Sequence, residues 1–529
     1  MDQINIHQKR YEFDEIAKII FKNSENFQIT FDSQVLDNVK KSQLALLAHI
    51  EKRIPIYGVT TGFGDSCHRV IELGQIEKLQ NNLVSYLLCG TGDVLDQKVS
   101  KGVLFLRLIS LSRGFSGVSP ELLERMATYF ENGWYPVIPR SGSLGASGDL
   151  IPLAYLANNL RGEGTTFGKD GKHVPMEALI KESRLEKYTF KAKEALALVN
   201  GTTTMVSQSL LNTVRASYFT ELACLCSAWS CLALQGRKEA FGDLVNQRAK
   251  THPGQRKAAG IIHQLLDDED YKNIDLIDID IKNSQTEQFV QDPYSLRCSP
   301  QILGPIFETI DLVKSWIETE LNGVSDNPLV DSEGELKMGG NFYGGHLSMG
   351  MDYLKISLAH IADHMDRQLT LLISDKTSRG LPPNLAAWDD HNENERFLLH
   401  GLKGLHQGVN AITSEVMAKS TPGGIFSRSS ESHNQDKVSL GMSAANQCHD
   451  LLEQVEDIFA LYLICLAQGL DLRGIKLKGE NSVKYYQMIR SNVAFVKDDI
   501  PLHDSIEKLK IALKEASTEC ERSLFGGNS

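Results

Sequence analysis

The longest helical patterns of apolar residues lie in the second half of the chain. The stretches "SMGMDYLKISLAHIADHMDRQLTLLIS" (348–374) and "DKVSLGMSAANQCHDLLEQVEDIFALYLICLAQGLDL" (436–472) contain no proline and repeat apolar residues at helical spacing. A third apolar face follows the sequence "LGP", where we expect a helix break. Its residues are Ile306, Ile310, Val313, Ile317 and Leu321. Because helices of this length must bury their faces against one another, the patterns predict a helix bundle.

The first 205 residues differ in composition, because glycine and proline are frequent there. "PIYGVTTGFGDS" (55–66) and "SGSLGASGDL" (141–150) are examples. Such segments favour short helices and loops that hold functional groups. We therefore expect a mainly α fold, an elongated bundle of long central helices with a loop-rich N-terminal active-site region. The predicted division is 1–205 for that region, 206–480 for the long-helix bundle and 481–529 for shorter C-terminal helices.

Composition narrows the classes of partner. The 529 residues carry a net charge of −12 with no basic stripe, which argues against nucleic acid. The longest apolar runs, 222–234 and 459–467, are shorter than the roughly 20 residues that span a bilayer, so they predict buried helices. The N-terminus shows no apolar signal core. Nine scattered cysteines without a C-x-x-C pair favour a reducing cytoplasm.

The stretch "SGSLGASGDL" precedes an apolar helical run, "IPLAYLA", although three of its residues are glycine. Its glycine spacing fits neither G-x-G-x-x-G nor a Walker loop, and G-x-S-x-G is absent. One interpretation is a flexible linker. The other is a backbone reaction, in which the Gly148 nitrogen attacks the Ala146 carbonyl. Loss of water from the ring and of the Ser147 hydroxyl would then leave an electrophilic exocyclic methylene.

The motifs resemble those of the aromatic amino acid ammonia-lyases over about residues 50 to 475. They are "IYGVTTGFG" (56–64), "LQNNLV" (79–84), "GSLGASGDLIPLA" (142–154), "EALALVNGT" (194–202), "QDPYSLRCSPQILGP" (291–305), "DNPLVD" (326–331), "GGNF" (339–342) and "ESHNQD" (431–436). The resemblance implies that Ala146, Ser147 and Gly148 cyclise to 4-methylidene-imidazol-5-one (MIO), with Asp149 assisting. It implies no metal and no external cofactor.

The resemblance also assigns roles to single residues. Tyr57 matches the catalytic base on a mobile loop, and Arg297 matches the group that grips the substrate carboxylate in a two-point fork. Phe342 matches an aromatic residue that packs near the MIO, and Glu431 lies near the substrate amine. The residues that match positions binding the MIO ring or the substrate are Asn200, Tyr294, Gln291, Asn434 and Gln435.

The two residues that follow "LQNNLVS" (79–85) match the positions beside the substrate ring. In this family Ser-His there indicates histidine, His-Leu tyrosine and Phe-Leu phenylalanine, whereas this chain has Tyr86 and Leu87. Leu87 removes the histidine-type partner of an imidazole, and Gln435 stands where histidine enzymes carry glutamate. We therefore favour phenylalanine, followed by tyrosine and then histidine.

The resemblance implies conversion of L-phenylalanine to trans-cinnamate and ammonia, with L-tyrosine to p-coumarate as the second candidate reaction. The substrate amine adds to the MIO methylene, Tyr57 removes a β-proton, and Arg297 holds the carboxylate in line. The family fold is a helical homotetramer in which one active site draws on three subunits. The alternatives are a 2,3-aminomutase of the same family, a histidine ammonia-lyase, and a helical scaffold whose tripeptide stays uncyclised.

Two patterns superficially resemble metal sites. His360 and His364 have helical spacing, but the glutamate of H-E-x-x-H is missing, so we expect ordinary polar residues. The segment "DLIDIDIKN" (275–283) lacks the glycine and the closing glutamate of an EF-hand loop, which predicts a solvated acidic loop.

Overall fold

A computed structural model describes residues 2–22, 27–168, 171–273 and 290–518 of the chain. The acidic segment 275–283 lies outside the described residues. The fold is mainly helical, as predicted. Contacts divide the chain into two compact units. Unit 1 comprises 1–212, 313–352 and 422–447, and unit 2 comprises 213–312, 353–421 and 448–529. The division at 205 and 480 stays a prediction.

Unit 1 combines helices with short strands. Its helices are α1 (Phe13–Phe21), α2 (Ser33–Glu51), α3 (Ile76–Leu87), α4 (Gln97–Ser112), α5 (Pro120–Glu131), α6 (Leu150–Leu160), α7 (Met176–Ser183) and α8 (Glu194–Val199). Its strands are β1 (Asp2–Ile6), β2 (Phe27–Phe31), β3 (Thr91–Val94), β4 (Tyr135–Pro136), β5 (Pro139–Ser141), β6 (Thr165–Phe167), β7 (His173–Pro175), β8 (Leu329–Val330) and β9 (Leu336–Lys337). Single 3₁₀ turns lie at Gly64–Ser66, Leu73–Gln75 and Gly424–Phe426.

The strands form small separate sheets. Strands β1 and β2 pair in parallel, with Asp2 opposite Phe27 and Ile6 opposite Phe31. The other pairs are antiparallel: β3 with β5, β6 with both β4 and β7, and β8 with β9. Strands this short have no hydrophobic face large enough to be stable alone. They therefore connect neighbouring helices and loops rather than form a core of their own.

Helix α4 is the centre of unit 1. Every residue from Val99 to Ser112 is buried, and α1, α2, α5 and α6 pack around it. Asp96 caps its N-terminus by accepting a hydrogen bond from the Lys98 N–H at 2.7 Å. A helix that is buried on all sides has no polar face, so the single arginine inside it, Arg107, must find its partners in the interior.

The four longest helices of the described chain contribute residues to both units. They are α9 (Thr203–Ala233), α12 (Ser299–Leu321), α13 (Gly345–Ile373) and α16 (Gly441–Leu472). The remaining helices belong to unit 2: α10 (Pro253–Asp268), α11 (Tyr294–Arg297), α14 (Glu393–Arg396), α15 (Lys403–Lys419), α17 (Glu480–Asn492) and α18 (His503–Thr518). Single turns of other helix types lie at Lys238–Phe241, Leu244–Ala249, Pro383–Leu385 and Trp388–Asp390.

The core of unit 2 is built from the two apolar runs of the sequence. Residues 222–234 and 459–467 are buried, which confirms the prediction for both. The rings of Phe219 and Phe459 stack with centroids 5.3 Å apart. The buried Arg215 guanidinium pairs with the Glu456 carboxylate at 2.8 Å. Aromatic stacking and a buried ion pair thus join α9 to α16 inside this unit.

Two predicted helix boundaries were wrong. Helix α12 does not begin after "LGP" but at Ser299, and it continues through Pro305. Gly304 packs directly against the backbone of α10 there, and this close contact holds the helix although proline removes one backbone donor. Helix α16 begins at Gly441 rather than near Asp436, because Leu440 adopts a left-handed conformation with φ of 55°. The predicted apolar face of α12 is buried as expected.

The histidines of the apparent metal pattern have different environments. His364 is buried, its Nε2 lies 3.2 Å from Gln368 Nε2, and burial lowers its pKa to about 3. His360 is exposed. Among the described residues, no three His, Cys, Asp or Glu side chains are grouped so that they could hold a metal ion. Within the same residues, no helix has both the length and the apolar character needed to cross a membrane.

Candidate active site

The tripeptide 146–148 lies in the loop between β5 and α6, where two backbone segments meet. Gly148 bridges Gly201 in parallel, and the Asp149 N–H donates to the Gly201 carbonyl at 2.7 Å. A Cβ atom placed on Gly148 would lie 2.1 Å from that carbonyl oxygen. Gly148 also has φ of 77°. Close approach and a left-handed backbone together leave glycine as the residue that fits.

Ser147 is held in an unusual conformation just before this contact. Its φ is 58°, in the left-handed region that costs a non-glycine residue about 1–3 kcal/mol. Strain of this kind persists only where the surrounding structure fixes it, and it gathers at functional sites. The glycine-rich stretch is therefore a tightly held turn rather than a flexible linker.

Asp149 lies directly behind the tripeptide and is fully buried. Its Oδ1 accepts from Ser143 Oγ at 2.8 Å, and its Oδ2 accepts from the Met205 N–H at 2.8 Å. Burial raises the pKa of this carboxyl to about 7, and the hydrogen bonds offset part of that rise. A carboxyl that titrates near neutral pH can both give and take a proton.

Asn200 follows α8 and precedes the glycine that contacts the tripeptide. Its Nδ2 donates to the Asn327 carbonyl at 2.8 Å, while its buried Oδ1 has no hydrogen-bond partner among the described residues. An unsatisfied buried acceptor is costly, so it needs a donor from a bound group. The close Gly148–Gly201 contact and the strained Ser147 turn fit an MIO ring formed from residues 146–148. Such a ring has no N–H, so its carbonyl would accept from the second hydrogen of Asn200 Nδ2.

Tyr57 lies on a compact loop that runs to Gly64. The Gly64 N–H donates to the Tyr57 phenol oxygen at 2.9 Å, and the Phe63 ring meets the Tyr57 ring edge-on at 6.3 Å. Burial raises the pKa of Tyr57 above its ordinary value, the Gly64 N–H partly opposes this, and the nearby Glu431 carboxylate adds to it. The phenol therefore stays protonated in the free chain.

Glu431 is presented by a tight turn in which Ser430 and Gln435 are bridged. Glu431, Ser432 and His433 all have left-handed φ values, of 49°, 52° and 65°. The two Glu431 carboxylate oxygens accept from the Asp65 N–H at 2.8 and 3.0 Å. The turn thus fastens Glu431 to the end of the Tyr57 loop.

Tyr86 and Leu87 end helix α3 and differ in environment. Leu87 is buried, so its apolar side chain is fixed in place. Tyr86 is exposed as a whole, yet protein packed around it removes enough water to raise its pKa to about 12, and Tyr57 and Glu431 raise it further. Tyr57, Tyr86 and Glu431 therefore form one group in unit 1, and the Tyr86 hydroxyl is a hydrogen-bond donor at neutral pH.

Three other predicted site residues of unit 1 are at least partly exposed to solvent. Asn434 and Gln435 complete the Glu431 turn, with Asn434 exposed and Gln435 half-buried. Phe342 is half-buried in the loop just before α13.

Three predicted residues of unit 2 line one cleft of about 400 Å³: Gln291, Tyr294 and Arg297. Arg297 stacks over the Tyr294 ring, with its guanidinium carbon 4.7 Å from the centroid. The acidic residue of the cleft, Asp292, is already paired with Arg379 at 2.6 Å. The Arg297 Nε is buried without a hydrogen-bond partner in the described chain, so this guanidinium is available to an anion.

Sequence reasoning missed two buried polar residues that support the site. The fully buried Arg107 guanidinium donates to the carbonyls of Ala197, Asn200 and Ser325. Gln80 is also fully buried, beneath the Tyr57 loop. A lone arginine inside the apolar run "VLFLRLISL" (103–111) could have signalled the first, whereas the partners of Gln80 have no local signature.

Comparison with known proteins establishes the family. A family model described as "aromatic amino acid lyase" matches residues 12–491, so the chain belongs to this family and is a carbon–nitrogen lyase. It is 31% identical to a histidine ammonia-lyase of Natranaerobius thermophilus, over 98% of this chain and 99% of that protein. It is 33% identical to one of Bacillus cereus, over 88% of this chain and 88% of that protein. The expected family and enzyme class are thus confirmed.

Solved structures agree on the fold. A phenylalanine aminomutase of Pantoea agglomerans superposes with a TM-score of 0.88 at 28% identity, covering 98% of this chain and 100% of that one. A tyrosine aminomutase of Streptomyces globisporus gives 0.88 at 27% identity and covers 98% of both chains.

The Gly148–Gly201 contact predicts a sharp steric effect. Gly148→Ala should abolish cyclisation, because its Cβ cannot fit beside the Gly201 carbonyl. Gly133→Ala is the matched control, since Gly133 has a similar φ of 71° but open space around its Cβ position. Intact mass spectrometry should find the loss of two waters in the wild type and in Gly133→Ala but not in Gly148→Ala. Full water loss in Gly148→Ala would contradict this account.

Proposed function

We propose that this protein is an ammonia-lyase that eliminates ammonia from an aromatic L-amino acid, with L-phenylalanine preferred. The observation that carries the proposal is the strained Ser147 turn, which is held against Gly201 and lies beside the segment of the buried Asn200. Tyr57, Glu431 and Arg297 supply the acid–base and binding groups that such an elimination needs.

The tripeptide is the proposed source of the cofactor. When formed, an MIO ring supplies an electrophilic methylene to which a substrate amine can add, which makes nitrogen a better leaving group. In this chain Gly148 allows the compressed backbone, and Asp149 can exchange protons during loss of water because its pKa is about 7. Asn200 Nδ2, whose other hydrogen is donated to the Asn327 carbonyl, would donate to the carbonyl of the ring.

Tyr57 is the proposed base for the β-proton. Its phenol is protonated in the free chain, so it must be activated before it can accept a proton. A substrate ammonium group bound beside it would lower its pKa, since a positive charge favours the phenolate. The Gly64 N–H at 2.9 Å stabilises the same phenolate.

Arg297 is the proposed carboxylate clamp. Its cleft neighbour Asp292 is paired with Arg379, so the substrate carboxylate has no competing anion. We also propose, from the family resemblance, that the active protein is a homotetramer whose active sites each draw on three subunits.

The choice of ring rests on Tyr86, Leu87 and Gln435. Leu87 offers no hydrogen bond to an imidazole, and Gln435 lacks the charge that histidine enzymes carry at this position. These residues support phenylalanine, with tyrosine next because the Tyr86 hydroxyl can bond a substrate phenol.

The named relatives support the alternatives more strongly than they support phenylalanine. The relatives from Natranaerobius thermophilus and Bacillus cereus are histidine ammonia-lyases, so L-histidine is the second candidate substrate. The two aminomutases with the same fold support a 2,3-aminomutase outcome, which needs the acid product and the amine to stay trapped longer. Product analysis by NMR separates a β-amino acid from an unsaturated acid.

The first test of this proposal removes the methylene precursor. Ser147→Ala should fold and assemble but lose nearly all deamination and show no water loss by mass. Ser183→Ala, which changes an exposed serine on α7, is the control. It should keep full deamination and show the loss of two waters. Substantial turnover by Ser147→Ala would rule out the MIO mechanism.

A second test concerns the clamp. Arg297→Lys keeps the charge but loses the planar fork, so kcat/KM should fall about tenfold to a hundredfold. Arg367→Lys, on an exposed arginine of α13 paired with Asp363, should leave kcat/KM unchanged. Near-normal kinetics in Arg297→Lys would place the carboxylate site elsewhere.

The third test addresses ring choice through Tyr86. Tyr86→Phe should keep or improve turnover of L-phenylalanine and depress that of L-tyrosine by about tenfold to a hundredfold, because a bonded hydroxyl is lost. Tyr86→His should shift preference toward L-tyrosine. The measurement is kcat/KM for L-Phe, L-Tyr and L-His on all three proteins. If the ratios of kcat/KM among the three substrates are the same in all three proteins, Tyr86 does not contact the substrate ring. If the wild type prefers L-His, the histidine alternative is established.

A further inference from the structure

Gln80 joins two active-site segments through both ends of one carboxamide. It lies on α3 and is completely buried. Its Nε2 donates to the carbonyl of Gly58, the neighbour of Tyr57, at 2.9 Å. Its Oε1 accepts from the N–H of Leu196 on α8 at 3.0 Å. Helix α8 leads directly into Asn200, so one side chain spans the segments that carry the proposed base and the residue proposed to bond the ring.

Both backbone groups need this side chain. Leu196 is the third residue of α8, so its N–H has no intrahelical carbonyl to bond. The N-cap residue Lys193 supplies no side-chain hydrogen bond. The Gly58 peptide is buried in the Tyr57 loop and must also be satisfied internally. Only a residue with one donor and one acceptor on a short, planar group can serve both at once.

Packing brings the same two segments into direct contact. A Cβ atom on Gly58 would lie 2.7 Å from Leu196 Cδ2 and 2.6 Å from the Phe63 ring. The Tyr57 loop therefore rests on α8 at the point where Gln80 bonds both. The relative placement of Tyr57 and Asn200 depends on this junction.

We propose that Gln80 is a positioning residue, which fixes the segment of Tyr57 against the segment of Asn200 in the geometry that β-proton removal requires. This inference rests on the proposed lyase function. Both hydrogen bonds of the buried Gln80 carboxamide go to backbone groups outside the tripeptide, so its loss should lower kcat more than it raises KM. Misplacement of a catalytic group by about 1 Å can cost about a hundredfold in rate.

Gln80→Glu gives a test with a distinctive pH signature. A protonated glutamic acid keeps one donor for Gly58 and one acceptor for Leu196, whereas the ionised form has no donor and sets a negative charge against a carbonyl. Because burial raises the pKa of a carboxyl, the protonated form should persist above the ordinary range. The ratio of variant kcat to wild-type kcat should therefore be highest at low pH and fall as pH rises, by about tenfold or more.

The matched control is Gln34→Glu, which makes the same amide-to-acid change at an exposed position on α2. Its kcat ratio to wild type should not vary with pH. Gln80→Met, which keeps the side-chain length without polar atoms, should have low kcat at every pH and an ordinary KM. A flat pH ratio for Gln80→Glu, or normal kcat for Gln80→Met, overturns the proposal.

Two further readouts separate this inference from the proposed function. Intact mass should show loss of two waters in Gln80→Glu and Gln80→Met. Absence of that loss would mean that Gln80 acts on cyclisation, which also overturns the positioning role. Hydrogen exchange should be faster in peptides covering 56–64 and 194–201 of Gln80→Met. Should the wild type deaminate none of L-Phe, L-Tyr and L-His, the lyase proposal fails, while unchanged exchange in these peptides rejects the Gln80 junction by itself.

Discussion

The contact between the backbones of Gly148 and Gly201 is the constraint on which the site depends. It leaves no room for a side chain on Gly148, and Arg107 behind Gly201 leaves none there either. The Asp149 N–H bonded to Gly201 also sets the start of α6, which packs on α8. Two buried helices thus hold the turn from both sides. Their packing offsets the strain of Ser147, which a mobile loop could not maintain.

Two buried charged residues, Arg107 and Lys193, stabilise this arrangement of backbone segments. Arg107 sits in an all-buried helix, and burial lowers its pKa only to about 10, so it stays charged at neutral pH. It donates to three carbonyls, two of them at the end of α8. Nearby, the buried Lys193 ammonium pairs with Asp326 at 2.5 Å. Removing either partner would leave an uncompensated charge, so these groups favour one arrangement of the Asn200 segment over alternatives.

The sequence predicted the long helices because apolar residues at helical spacing must be buried, as Val313, Ile317 and Leu321 are. It did not predict that α12 passes through Pro305, since the contact of Gly304 with α10 that stabilises it is not local. The short strands carry no period, so they were not predicted. Motif resemblance predicted roles for Tyr57 and Arg297, which stay predictions. The pairing of Gly148 with Gly201 and the bonds of Gln80 join residues distant in sequence, and only the fold reveals them.

Sequence similarity over the whole chain does not determine which aromatic ring the enzyme accepts. The 31% identity to a histidine ammonia-lyase extends over nearly the full length of both chains. Ring choice depends on a few side chains, which can change while the fold is kept. In this chain Leu87 is buried and apolar, and the hydroxyl of Tyr86 is a donor beside Tyr57 and Glu431. A phenyl ring needs only an apolar wall such as Leu87, whereas an imidazole also needs hydrogen-bond partners, which Leu87 cannot supply. This difference is the physical basis on which we propose phenylalanine first.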